Sequence, residues 1–227
     1  MTVLLSSQAH STECVILLHG LARSNHSMAK LEKTLDEQGY LTLNIKYPST
    51  QYPIKELAES TIAKALKLCP EGSKINFVTH SLGGILVRQY LSVHTIPNMS
   101  RVVMLGPPNK GSQIVDNIHW VPAYEFINGP AGIEIGADPQ SIPNILGSVD
   151  FELGVIAGTR TVNPFLSLML EKPNDGKVSV ESSKIEGMTD HIELPVTHPF
   201  MMNNKTVISQ VVYFLENGVF QKLKTSK

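Results

Sequence analysis

Short, continuous apolar runs alternate along this chain with longer segments whose apolar residues recur at helical spacing. The first run is "CVILLHG" at 14–20, and the segment after it, "SMAKLEKTLDEQG", carries Met28, Leu31 and Leu35 on one helical face. A run that is apolar at every position predicts a strand buried on both faces. Strands that alternate with helices predict crossover units, and therefore a mainly parallel sheet with helices on both sides.

The same alternation continues to the end of the chain and predicts six strands in total. The further strands are "YLTLNIKYP", "KINFVTH", "RVVMLGPP", "FELGVIAGT" and "HIELPVT". The interval 111–152 interrupts the pattern, because it is rich in Gly, Pro and Ile and has no clean periodicity beyond a helical start. A stretch of this length inside a compact domain usually forms a cap or a binding region. We therefore expect a single domain over 1–227, with 111–152 as an irregular insertion beside the pocket.

Composition argues against several functional classes. Charged residues make up 17% of the chain and the formal net charge is -1, which disfavours nucleic-acid binding. No apolar run approaches the roughly 18 residues of a transmembrane helix, so no integral membrane segment is expected. The N-terminus, "MTVLLSSQAHSTEC", has no Lys or Arg, which predicts an unexported, cytoplasmic protein. In that compartment Cys14 and Cys69 are expected to be two buried or half-buried thiols.

Ser81 directly follows the third predicted strand and directly precedes a helix, within "VTHSLGG". In an open parallel sheet, ligands bind at the carboxyl ends of the strands, where this serine lies. A turn tight enough to expose its hydroxyl needs small neighbours, which Gly83 and Gly84 supply. The usual pattern around a serine in such a turn is Gly-x-Ser-x-Gly, and Thr79 stands at the position of the first glycine. The larger threonine fits only if the neighbouring strand or helix has a small residue facing it. The alternative role for Ser81 is that of a helix N-cap.

A nucleophilic serine needs a histidine as general base and a carboxylate that orients the histidine. Of the eight histidines, His198 follows the sixth strand directly and so lies at the same sheet edge as Ser81. Asp175 falls in the loop after the fifth strand, between the serine and the histidine in chain order. We predict a Ser81–His198–Asp175 triad, with Glu171 and Glu181 as alternatives for the carboxylate.

An oxyanion that forms during acyl transfer needs hydrogen-bond donors. The backbone N–H of Leu82, at a helix N-terminus, is one candidate. The N–H of Leu21, in the loop "HGLARS" after the first strand, is the second.

Together these segments resemble the α/β-hydrolase superfamily, in particular its small bacterial lipases and esterases. The resemblance is carried by "VILLHGLARS", "VTHSLGG", "NDGKV" and "VTHPF", in that order. It implies a three-layer α/β-hydrolase fold with a reduced, mainly parallel sheet of about six strands. It also implies a serine esterase in which Ser81, His198 and Asp175 act as the triad and Leu21 and Leu82 form the oxyanion hole, with no metal or organic cofactor.

The interval 111–152 is expected to border the acyl pocket. Among its apolar residues, Trp120, Tyr124 and Phe126 are predicted to contact substrate. No Lys or Arg occurs from 111 to 159, although Arg23 and Lys110 lie in strand-end loops. A neutral, lipophilic carboxylic ester is therefore favoured over an acyl-coenzyme A, as a small molecule or a lipid.

Two other readings stay open at the level of sequence. One is an acyltransferase or thioesterase that uses the same triad, since the first half-reaction is shared. The other is a non-catalytic binding protein on a hydrolase scaffold. The sequence does not predict an oligomeric state.

Overall fold

The computed structural model describes residues 13–118 and 122–222, and its central layer is one six-stranded sheet in which every pairing is parallel. The strands are β1 (Glu13–Leu18), β2 (Leu41–Ile45), β3 (Lys74–His80), β4 (Met99–Leu105), β5 (Glu152–Gly158) and β6 (Asp190–Leu194). Each overlaps one of the six predicted strands. The order across the sheet is β2-β1-β3-β4-β5-β6, so β3 lies between β1 and β4 near the middle.

Helices cover both faces of this sheet within the described residues. They are α1 (Ala29–Glu37), α2 (Ile54–Leu66), α3 (Leu82–Leu91), α4 (Gln113–Ile118), α5 (Pro122–Glu134), α6 (Ile142–Ile145), α7 (Pro164–Ser167), α8 (Val180–Ser183) and α9 (Lys205–Asn217). Short 3-10 helices occur at Asn25–Met28 and His198–Asn203.

Strand residues alternate between two hydrophobic cores. In β1, Ile16 and Leu18 pack in the core shared with α2 and α3, whereas Val15 and Leu17 pack in the core shared with α1 and α9. Because side chains of a strand point alternately to opposite faces, a strand between two helical layers must be apolar at every position. This explains the unbroken apolar runs of the sequence and confirms the predicted three-layer α/β architecture.

The interval 111–152 contains more regular structure than its sequence pattern indicated. Helices α4, α5 and α6 all fall within it. Its periodicity is obscured because α5 is kinked at Gly129, which has φ of 64° and is followed by Pro130. A Cβ at Gly129 would lie 1.7 Å from the backbone oxygen of Thr50, so the backbones meet closely at the kink.

The two cysteines form a disulfide, and the prediction of two free thiols is wrong. Cys14, on β1, is bonded to Cys69, just after α2, with 5.9 Å between their Cα atoms. The pairing was missed because the sequence argument rested on the expected compartment. Sequence spacing does not reveal that the end of α2 lies over the start of β1.

None of the helices in the described ranges combines the length and the apolar character that crossing a bilayer requires.

The disulfide makes a direct prediction about thiol content and stability. Protein unfolded without reductant should show no thiol that reacts with Ellman's reagent, and two after reduction. The bond closes a loop with a sequence separation of 55 residues. By the chain-entropy model, its loss should lower the free energy of unfolding by about 4 kcal/mol.

Chemical unfolding with and without reductant measures this loss. The double variant Cys14→Ala/Cys69→Ala is the control, since reductant should not change its unfolding curve. Two reactive thiols in the unreduced, unfolded protein would contradict the observed bond.

Candidate active site

Ser81 occupies a sharp turn between β3 and α3. Its backbone has φ of 53° and ψ of -120°, a conformation that is costly for any residue with a side chain. The side chain makes no capping hydrogen bond to the first turn of α3, although the residue stands at the N-cap position. The turn therefore holds the hydroxyl away from the helix and towards the cavity that Ser81 lines.

Glycines allow the backbones around this turn to approach one another. A Cβ at Gly83 would lie 2.7 Å from the backbone oxygen of Leu18, and one at Gly20 would lie 2.7 Å from Nδ1 of His80. Real Cβ atoms do not approach neighbours so closely, so any side chain at these positions would push β1, β3 and α3 apart.

Gly84 provides the small residue that Thr79 requires. A Cβ at Gly84 would lie 3.3 Å from Oγ1 of Thr79 and 2.9 Å from the sulfur of Met104. Thr79 itself is fully buried, and its hydroxyl has no hydrogen-bond partner among the described residues. Because Gly84, in the first turn of α3, has no side chain, there is room for Thr79.

His198 and Asp175 are joined by a buried hydrogen bond. Nδ1 of His198 lies 2.7 Å from Oδ2 of Asp175. The other carboxylate oxygen, Oδ1, accepts hydrogen bonds from the backbone N–H groups of Lys177 at 2.9 Å and Val178 at 2.8 Å. The carboxylate is therefore fixed from both sides and orients the imidazole.

The structure brings Ser81 and His198 to one cavity. Both line it, although no hydrogen bond in the described part of the chain joins the serine hydroxyl to the imidazole. Such contacts commonly tighten only when substrate binds.

His80, which precedes Ser81, is a second buried histidine in the site. Its Nε2 lies 3.0 Å from the backbone oxygen of His198, and the two ring centroids are 4.8 Å apart. Because a carbonyl only accepts hydrogen bonds, Nε2 carries the hydrogen. Burial, and secondarily the neighbouring His198, lowers the pKa of His80 well below its usual value, so this ring stays neutral.

The loop after β1 is held in place by the loop after β2. The imidazole of His19 stacks on the ring of Tyr47 with centroids 4.1 Å apart, and the Tyr47 hydroxyl donates to the His19 carbonyl. The N–H of Ala22 donates to Oγ of Ser49 at 3.1 Å. Leu21, between these anchors, lines the cavity with its backbone N–H unused by any described residue.

A cavity of about 310 Å³ connects these groups. Its lining is Leu21, Arg23, His80, Ser81, Pro108, Ser112, Ile114, Val115, Ile127, Asn128, Ile135, Lys177, Val178, His198 and Pro199. The interval 111–152 therefore does border the site, through residues of α4 and α5 and their flanks. Leu82 begins α3, where the first N–H groups have no acceptor within the helix.

The three predicted substrate contacts have different outcomes. Trp120 lies outside the described residues, and nothing is described of the Tyr124 side chain. Phe126 is 90% exposed and is not part of the cavity lining, whereas its neighbour Ile127 is. Sequence alone does not give the rotation of α5, which decides which of two adjacent apolar residues lines the cavity.

Sequence reasoning missed Lys177 and His80 as members of the site. The position of Lys177, two residues beyond the predicted carboxylate, was the available signal. His80 adjoins Ser81 and should point away from it in a regular strand. The turn at Ser81 instead brings both residues to the cavity.

This sheet, with a strained serine between its central strand and a helix, defines the α/β-hydrolase fold, as predicted. No protein-family model matches the chain, and no curated protein matches it either. Solved structures do match. The mature form of the Bacillus licheniformis lipase BlEst2 has a TM-score of 0.71 at 17% identity, covering 91% of this chain and 93% of that one.

Two further similar structures are longer than this chain. The metagenomic carboxyl esterase MGS0156 has a TM-score of 0.67 at 17% identity, covering 84% of this chain and 65% of its own. The phospholipase PlaB from Legionella pneumophila has a TM-score of 0.57 at 19% identity, covering 76% of this chain and 46% of its own. At these identities the likeness establishes the fold and leaves the activity to be argued from the site.

The close contact at Gly83 predicts a stability loss. Gly83→Ala should lower the free energy of unfolding by about 1–3 kcal/mol, because the new methyl group meets the Leu18 backbone. Chemical denaturation measures the change. Gln89→Ala, on a half-buried position of the same helix, is the matched control and should stay within about 0.5 kcal/mol of the native protein. Equal stability of Gly83→Ala and native protein would contradict the observed approach of α3 to β1.

The neutral state of His80 predicts a pH dependence of stability. A histidine whose pKa is lowered by folding stabilises the native state above its unfolded pKa of about 6.5, and this contribution is lost as the pH falls. His80→Gln should therefore make the decline of stability between about pH 6.5 and 5 shallower. Part of the pH dependence should remain in this variant, because burial also lowers the pKa values of His19 and His191.

Urea unfolding at several pH values measures this slope. His26→Gln, at an exposed histidine, should leave it unchanged. An unchanged slope in His80→Gln would show that folding does not lower the pKa of His80.

Proposed function

We propose that this protein hydrolyses carboxylic esters through an acyl-enzyme on Ser81. The observation that carries the proposal is the buried hydrogen bond between Asp175 and His198, beside a cavity that the strained Ser81 also lines. If these three residues had only structural roles, there would be no reason for them to lie together at the carboxyl end of one sheet. The lipases and esterases among the structural neighbours support the same reaction class.

In this mechanism His198 acts as general base and then as general acid. Its Nδ1–H donates to Asp175, which leaves the lone pair on Nε2 free to accept the proton of Ser81. Oγ of Ser81 attacks the ester carbonyl, and the proton passes from His198 to the leaving alcohol. Water, activated by the same Nε2, then attacks the acyl-enzyme and releases the acid and the free serine.

The oxyanion hole is assigned to the backbone N–H groups of Leu21 and Leu82. Both residues stand next to the nucleophile turn, and Leu82 adds the positive end of the α3 helix dipole. The contacts of Ser49 and Tyr47 with the loop around Leu21 support this role, since a preorganised donor must hold its position when charge develops.

A lipophilic substrate is supported by the apolar surface at the site. Ile114, Val115, Ile127 and Ile135 contribute to the cavity lining. Ile127 is also largely exposed, so the apolar lining of the cavity continues to the protein surface. We keep Trp120 and Tyr124 as substrate contacts within this proposal.

Substitutions in the triad test the mechanism. Ser81→Ala should reduce kcat on 4-nitrophenyl esters by ~10⁶-fold, and Asp175→Asn by ~10⁴-fold, because the latter loses the correct histidine tautomer. A panel of acyl-chain lengths, assayed by nitrophenolate release, provides the measurement. Native protein should also be labelled at Ser81 by a fluorophosphonate probe.

Ser92→Ala, at an exposed serine on the end of α3, is the control and should retain full activity. Ester hydrolysis that survives Ser81→Ala would overturn the mechanism. A folded native protein that neither hydrolyses esters nor reacts with the probe would instead support the binding-protein alternative. Product analysis with added alcohol separates hydrolysis from acyl transfer.

The cytoplasmic location stays a prediction from sequence. Disulfides persist mainly in oxidising compartments, so the Cys14–Cys69 bond favours a different location.

A further inference from the structure

Two cationic side chains belong to the lining of the active-site cavity. Arg23 lies in the loop after β1, two residues beyond Leu21, and Lys177 lies two residues beyond Asp175. Both are exposed, and both line the cavity that contains Ser81 and His198. The two loops that position the catalytic machinery thus each bring a positive charge to the cavity.

Neither cation has a carboxylate partner in the described part of the chain. The ion pairs there engage other basic side chains: Lys33, Lys74, His94, Arg101, Lys110, Lys184 and His198. No Asp or Glu is among the residues that line the cavity. Asp175 is close by, but its oxygens already bind His198 and two backbone N–H groups.

The two positive charges also affect one another. Enough protein surrounds the ammonium group of Lys177 to lower its pKa, although the residue as a whole is exposed, and the charge of Arg23 lowers that pKa further. The nearby Asp175 carboxylate raises the pKa of Lys177 and so offsets part of this effect. Two like charges that lie close together destabilise a protein slightly. A negative group placed between them would remove this repulsion and gain two charge-assisted hydrogen bonds.

We propose that Arg23 and Lys177 form a subsite for an anionic group, a carboxylate or a phosphate, carried by the ester that Ser81 attacks. The inference rests on the proposed esterase function and narrows its substrate class. This anionic substrate class replaces the neutral ester that the sequence favoured. That expectation rested on the absence of Lys and Arg from 111 to 159 and left out Lys177. The apolar wall from α4 and α5 then contacts the hydrocarbon part, while Arg23 and Lys177 bind the charged end.

A matched pair of substrates tests the subsite. Mono-4-nitrophenyl glutarate carries a free carboxylate, and its methyl ester, 4-nitrophenyl methyl glutarate, is the neutral counterpart with the same leaving group. After subtraction of spontaneous hydrolysis, native protein should show a kcat/KM roughly tenfold or more higher for the anionic ester, mainly through KM. Because exposed charges are screened by salt, this preference should shrink at high ionic strength.

Substitution of each cation should reduce that preference. Arg23→Gln and Lys177→Gln should each lower the ratio of the two kcat/KM values by several-fold to tenfold, and the double variant should lower it most. Lys110→Gln is the matched control, since Lys110 pairs with Glu181 and does not line the cavity. It should leave both substrates unaffected. A ratio near one in native protein, or one that both substitutions leave unchanged, would overturn the subsite.

A binding experiment separates this inference from the proposed function. Ser81→Ala protein, titrated calorimetrically with the two glutarate esters, should bind the anionic one more tightly. Arg23→Gln in that background should reduce the difference, and Arg23→Gln/Lys177→Gln should reduce it most. This outcome supports the subsite even if native protein fails to hydrolyse esters. Equal affinities overturn it even if Ser81-dependent hydrolysis of the neutral ester is robust. Competition by inorganic phosphate and by glutarate against neutral-ester hydrolysis distinguishes a phosphate from a carboxylate.

Discussion

The close approach of β1, β3 and α3 at the Ser81 turn is the constraint on which the site depends. Ser81 has a positive φ, and a residue with a side chain keeps such a conformation only when the surrounding structure holds it there. Gly83 lies against the Leu18 backbone, and Gly20 lies against His80. The close packing of β1, β3 and α3 at these two glycines thus fixes the position of one hydroxyl.

Glycines also allow close packing around the Asp175–His198 pair, at the ends of β4 and β5. A Cβ at Gly106, after β4, would lie 3.0 Å from Oδ2 of Asp175 and 3.1 Å from Nδ1 of His198. At Gly158, which ends β5, a Cβ would lie 2.7 Å from the Cβ of Asp175. The carboxylate–imidazole pair therefore occupies space left by missing side chains, and its hydrogen bond is buried because the strand ends lie so close to it.

The sequence predicted what periodicity and chain order determine. The alternation of short strand-like runs with helical stripes located all six strands, and the position of Ser81 and His198 after β3 and β6 placed them at one sheet edge. Contacts between distant segments were not predictable. Three features each depend on how separate elements pack: the Cys14–Cys69 pairing, the place of Ile127 rather than Phe126 in the cavity lining, and the proximity of Lys177 to Arg23. Local sequence carries no signal for these distances.

The charges of the site form one consistent arrangement. Among the described residues of the site Asp175 is the single carboxylate, and its oxygens accept hydrogen bonds from His198 and two backbone N–H groups. In the proposed mechanism His198 takes the proton of Ser81, and Asp175 balances the positive charge that results. His80, whose ring centroid is 4.8 Å from that of His198, then becomes still harder to protonate. His80 therefore keeps donating its Nε2–H to the His198 carbonyl throughout the proposed cycle. Arg23 and Lys177 add a positive field that favours negative charge in the cavity. That field acts on an anionic substrate and on the oxyanion of the intermediate alike.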